Sequence, residues 1–169
     1  IKGIIMILAF LSGCTFGEAV LLIIAYAIAV VVALVGHEYA HSFTAYKCGD
    51  ATPKAYGRLT LNPMAHFDAI GLLCFIFFGF GWAKPVPINT LNFRNHTKGT
   101  ILVSLSGILT NIVFALLFAG LYLAVTVWMP VGTFRFFLEN LFGFGMLLNI
   151  MLAIFNLLPI YPLDGFNFI

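Results

Sequence analysis

The chain has 169 residues, of which 62% are hydrophobic and 8% charged, with a formal net charge of +2 and a mean hydropathy of +1.08. This balance excludes an ordinary soluble domain and indicates an all-α polytopic membrane protein. The few charges are spread out, with no basic run or aromatic-basic patch, which argues against nucleic acid as a partner. Cys14, Cys48 and Cys74 form neither a CxxC pair nor an even framework. They read as thiols that say little about compartment.

Gly3 to Gly17 is uncharged but interrupted by Ser12, Gly13 and Thr15, so it reads as a short first membrane helix followed by a turn. The chain starts at Ile1 without a methionine, as a fragment of a longer protein does. Its opening apolar residues lack a small-residue cleavage site, which argues against a removed signal peptide. From Glu18 to about Tyr46 the pattern predicts one long helix, longer than the ~20 residues a bilayer requires. Lys47, Gly49, Asp50 and Pro53 end it: Gly49 suits a C-terminal cap and Lys47 the negative end of the helix dipole.

Within that helix, Val20 to Gly36 carries no charged residue, and His37-Glu38-Tyr39-Ala40-His41 follows directly. Positions i and i+4 lie on one helix face about a turn apart, so His37 and His41 can bind one metal ion together. Glu38 then sits beside the metal and is placed to take a proton from a water held there. Three fixed residues recur by chance in soluble helices, but ionisable residues inside a membrane segment are costly and are functional candidates by default. A catalytic zinc needs a third protein ligand, which the rest of the chain must supply.

Ala51 to Asp68 is a polar, turn-rich excursion with Lys54, Arg58, Asn62, Pro63, His66 and Asp68. Ile70 to Ala83 is apolar again but short and rich in glycine before Lys84-Pro85-Val86-Pro87, which fits a re-entrant segment better than a full crossing. With a re-entrant segment, Lys47, Lys54, Arg58, Lys84, Arg94 and Lys98 share one side, cytoplasmic by the positive-inside rule. A full crossing would split them and leave almost no bias. His66 and His96 read as loop residues.

Gly99 to Trp128 is the next spanning helix, broken by Met129-Pro130. A connection with Arg135 and Glu139 leads to a further helix from about Phe136 to Leu158. Its end carries Asn156, Pro159, Pro162, Asp164 and Gly165. Proline-broken backbone at membrane depth is tolerated only where protein or a water-filled cavity receives it. No charged residue occurs between Asn140 and Leu163, so Asp164 is the best candidate for the missing ligand.

With both motifs in place the sequence resembles the site-2 proteases, intramembrane zinc metalloproteases, through His37-Glu38-Tyr39-Ala40-His41 and the more specific Asn156-Leu157-Leu158-Pro159-Ile160-Tyr161-Pro162-Leu163-Asp164-Gly165. Gly57 to Asp68 and Gly81-Trp82-Ala83-Lys84-Pro85-Val86-Pro87 look like the compact prokaryotic branch. No insertion is large enough for a PDZ domain, and nothing resembles a CBS module. The resemblance implies one membrane-embedded core over 1–169, a single Zn²⁺ held by His37, His41 and Asp164, and Glu38 as catalytic base. It further implies cleavage of transmembrane segments or signal-peptide remnants in a prokaryotic cytoplasmic membrane, with the site nearer the cytoplasmic face.

Two departures stand out. Ser106-Gly107-Ile108-Leu109-Thr110-Asn111 has isoleucine where the family usually has proline after the glycine. After Leu163-Asp164-Gly165 the chain reads Phe166-Asn167, where a small and then a basic residue are common. Asn111 and Asn156 can support the transition state or glue helices together. Gly79 and Gly81 can be a glycine-rich bend or an edge that pairs with extended substrate. The other class of function open to this pattern is a catalytically silent metal-binding membrane protein or transporter.

Overall fold

A computed structural model describes residues 13–68, 70, 71, 73, 74, 83–161 and 163–168. The expected first helix over 3–17 and the re-entrant segment, with Gly79 and Gly81, fall largely or wholly outside these residues. Among the described residues three helices are long and apolar enough to cross a membrane: α1 Phe16–Cys48, and, after the single turn α2 Thr52–Ala55, α3 His96–Trp128 and α4 Thr133–Leu157. The protein is an all-helical, multi-pass membrane protein.

Each helix starts and stops where its side chains dictate. Thr15 caps α1 by accepting from Glu18 N at 3.3 Å, while Glu18 Oε2 accepts from Thr15 N at 2.8 Å, a reciprocal capping box. At the other end Gly49 takes a left-handed conformation, φ 117°, and returns its N–H to Ala45 and Tyr46. Asn95 caps α3 by accepting from Lys98 N at 2.9 Å, and this places the helix start three residues earlier than Gly99. α4 also begins earlier than its apolar pattern suggested. Arg135 and Glu139, read from sequence as a connection, sit one turn apart inside it and pair at 2.8 Å.

The helices pack through small residues. Ala25, Ala29 and Ala33 are fully buried on α1, and Gly145, Asn149 and Ala153 form the buried stripe of α4. In lipid no hydrophobic drive brings helices together, so close backbone approach and van der Waals contact must do it. A β-carbon on Gly145 would lie 2.8 Å from the Phe118 ring, so the glycine sets how closely α3 and α4 meet. Large residues such as Ile23, Ile24, Leu116 and Leu117 point outward, as a lipid-facing surface requires.

At one end of the bundle the end of α1 is tied to the segment that leads into α3. Arg94 N donates to Cys48 O at 2.9 Å, and Asp50 accepts from Asn89 N and Asn92 Nδ2 at 2.8 Å each. The excursion between them is also closed on itself. Phe67 and Ala83 form an isolated antiparallel bridge, and Lys84 N donates to His66 O at 2.7 Å. Arg58 donates to the carbonyls of Ala65 and Lys84. His66 is fully buried here, its Nε2 bound to Thr60 O at 2.7 Å. It is a loop histidine, as expected from sequence, and burial makes it a packed element of this closure.

Candidate metal centre

His37 and His41 stand one turn apart on α1, with edge-to-face rings 4.5 Å between centroids. The partner of one ring nitrogen decides what the other can do. His41 Nδ1 donates to Val103 O at 2.8 Å. A carbonyl only accepts, so the proton sits on Nδ1 and Nε2 keeps a lone pair. His37 Nδ1 donates in the same way to Asn111 Oδ1 at 3.1 Å. The two Nε2 lone pairs therefore face each other at 3.0 Å.

Asp164 Oδ2 lies 3.3 Å from His37 Nε2 and 3.2 Å from His41 Nε2. With both imidazoles neutral, no proton remains to bridge these atoms, and among the described residues Oδ2 is buried without a hydrogen-bond partner. Three acceptors gathered this way repel one another unless a cation lies among them. A tetrahedral zinc ion with ligands at roughly 2.0–2.1 Å needs them about 3.3 Å apart, the spacing seen here. The three ligand atoms, all within 4.8 Å of one another, thus fit a divalent ion such as zinc.

Two glycines make this convergence possible. A β-carbon on Gly107 would fall 2.6 Å from His37 Cε1, His41 Cε1 and His41 Nε2, so α3 approaches the pair only because it has none. A β-carbon on Gly165 would fall 2.5 Å from the carbonyls of Leu157 and Leu158. The glycine after Asp164 therefore lets the 3-10 turn Asp164–Phe168 fold back against the end of α4.

Glu38 follows His37 on α1, about 100° further round the helix. It is half-buried and outside the ligand group, and it has no hydrogen-bond partner among the described residues. Asn111 is fully buried and spends Oδ1 on His37, while its Nδ2 has no partner among the described residues. Asn156 donates to Leu152 O of its own helix at 3.0 Å. Asn149, which carried no sequence signal beyond its apolar surroundings, is fully buried and donates to Gly145 O at 2.7 Å.

No family model and no solved structure gives a significant match to the chain. Among curated proteins it is 40% identical over 146 residues to a Bacillus subtilis (strain 168) protein named "Putative zinc metalloprotease YwhC", covering 84% of this chain and 66% of the relative. It is 32% identical over 139 residues to "Putative zinc metalloprotease Rip2" of Mycolicibacterium smegmatis (strain ATCC 700084 / mc(2)155), covering 78% of this chain and 50% of the relative. The chain thus spans less than two thirds of either relative's length. With the two motifs folded onto one donor set and with these relatives, the chain belongs to the compact, site-2 protease-like family of zinc metalloproteases.

Proposed function

We propose that the chain is the core of a zinc-dependent intramembrane endopeptidase, acting on transmembrane segments of single-pass proteins or on signal-peptide remnants. One observation carries the reading. Three protein donors stand at tetrahedral spacing inside an apolar helix bundle, and a carboxylate that is not a ligand stands beside them. A purely structural site has no need of that carboxylate, and it usually has four protein ligands. The relatives' names point to the same metal and the same class of reaction.

Zinc held there supplies Lewis acidity, which acidifies water and polarises the scissile carbonyl. The chain's own residues do the rest. His37, His41 and Asp164 hold the ion, and Val103 O and Asn111 Oδ1 keep both imidazoles in the tautomer that binds it. Glu38 takes the proton of the attacking water and passes it to the departing amide nitrogen. A substrate helix presents its amides hydrogen-bonded and covered, so it unwinds locally before Glu38 can act. The site lies about two turns from the basic end of α1, which supports a cut near the cytoplasmic face.

The test compares wild type, Glu38→Gln and Asp164→Ala for zinc content and cleavage of a transmembrane reporter. About one zinc per chain in the first two, weakened zinc in the third, and cleavage by wild type alone are expected. Glu38→Gln should lower cleavage by roughly 10²-fold or more. Cleavage that survives Glu38→Gln sinks the mechanism. Zinc bound with no cleavage across a panel of substrates favours the silent metal-binding protein instead.

A further inference from the structure

Asp164 is the one ligand that does not sit on a membrane helix, and its Oδ2 has no hydrogen-bond partner to aim it among the described residues. Its direction must come from the turn that carries it. Hydrogen bonds from Leu163 N to Ile160 O at 2.7 Å and from Phe166 N to Leu163 O at 3.1 Å shape that turn, and Gly165 seats it on α4. None of these contacts fixes it relative to α3, against which His37 and His41 are oriented.

Asn167 does. Its Nδ2 donates to Ser104 Oγ on α3 at 2.9 Å, and Ser104 is 3% exposed. In a 3-10 helix residues i and i+3 eclipse, so the side chains of Asp164 and Asn167 leave the turn on the same side. Ser104 directly follows Val103, whose carbonyl holds His41 Nδ1. One turn of α3 thus grips the second ligand through Val103 and the third through Ser104.

We propose that the Asn167–Ser104 hydrogen bond is a clamp that positions Asp164 as the third metal ligand. The clamp rests on the metal-site reading above. Asn167 and Ser104 are positioning residues, acting through Asp164 and lying outside the ligand group. A slide of the turn along α3 would open the 3.2 Å approach of Asp164 to His41 while leaving the helices packed.

The test measures Zn²⁺ affinity by competition with a chromophoric chelator, and the visible d–d absorption of the Co²⁺-loaded protein as a signature of coordination geometry. Both are read on wild type, Asn167→Ala, Ser104→Ala, the double variant and Ser104→Thr. Each alanine variant should lose roughly tenfold or more in Zn²⁺ affinity, the range for a lost outer contact of a metal ligand, and should weaken the tetrahedral Co²⁺ band. The double variant should be no worse than the singles, because one bond is lost in each. Ser104→Thr, which keeps the hydroxyl, should restore binding.

The melting point of the metal-free protein should move by no more than the few degrees one hydrogen bond is worth. Affinities within about twofold of wild type, a Co²⁺ band unchanged in the alanine variants, or losses that add in the double variant overturn the clamp. If Asn167→Ala does not fold, Ser104→Ala, which removes a single oxygen, decides alone. Wild type that binds no zinc sinks the function and the clamp together. Zinc binding in wild type that the variants leave intact sinks the clamp only.

Discussion

Gly107 is where a single atom decides the metal site. Gly107→Ala puts a methyl 2.6 Å from both imidazoles, against atoms held by Val103 O and Asn111 Oδ1 that have little room to yield. Zinc content after dialysis should fall by at least roughly tenfold, with the helical circular dichroism signal unchanged; full zinc retention would show that α3 can back away. Asn111→Leu removes the acceptor that keeps the proton on His37 Nδ1, and equilibrium zinc affinity should drop by about 10–100-fold. An affinity equal to wild type would mean that the imidazole finds its tautomer unaided. At this scale the sequence shows what coordinates and hides what orients. His37, His41 and Asp164 are legible because ligand chemistry restricts residue type. Val103 is invisible because it acts through a carbonyl that every residue has. Ser104 and Asn167 are ordinary polar residues until the fold brings them within 2.9 Å.

Between residues and the whole, the junction of α1 with α3 depends on one carboxylate. Asp50 is fully buried and accepts from Thr52 N, Thr52 Oγ1, Asn89 N and Asn92 Nδ2. Burial pushes its pKa up, but the bonds from the Thr52 and Asn92 side chains and from the Asn89 and Thr52 backbones outweigh that and hold it below the ordinary carboxylate value. The folded value lies below the unfolded value of about 3.9, so Asp50 stabilises the fold fully above that pH, and the contribution fades as pH falls through the folded value. Asp50→Asn keeps the shape but loses an acceptor and the charge, a cost of about 1–3 kcal/mol at neutral pH. The melting-point gap between wild type and Asp50→Asn should be constant from about pH 7 to pH 5 and close below about pH 4. A gap that persists in acid would show that the charge has no part in it. The helices themselves were readable from sequence to within a few residues, because Thr15, Gly49 and Pro130 punctuate long apolar runs. The Asp50 network was not, because two of its four donors, Asn89 N and Asn92 Nδ2, come from a loop about forty residues away.

For the whole molecule, the pairing at that junction supports one threading of the chain. Cys48 and Arg94 are bonded backbone to backbone, and so are His66 and Lys84, so the chain returns at residue 83 to the place it left at residue 67. Lys47, Lys54, Arg58, Lys84, Arg94 and Lys98 therefore all belong to one end of the bundle. At the other end Arg135 is paired with Glu139. The orientation proposed above puts this end, with its excess of Lys and Arg, on the cytoplasmic side. α3, with 33 residues, is about 50 Å long and more than spans a hydrocarbon core of about 30 Å, so its two ends must emerge on opposite sides. Met64, 80% exposed in the excursion, and Val131, 91% exposed between α3 and α4, report on those two sides. In a background with Cys14, Cys48 and Cys74 replaced by serine, Val131→Cys should react with a membrane-impermeant maleimide on intact cells. Met64→Cys should react only after permeabilisation. Labelling of both from one side would break the single crossing by α3. The reverse pattern would keep the bundle but invert it, and the metal site, two turns from the cationic end, would then face the exterior instead of the cytoplasm.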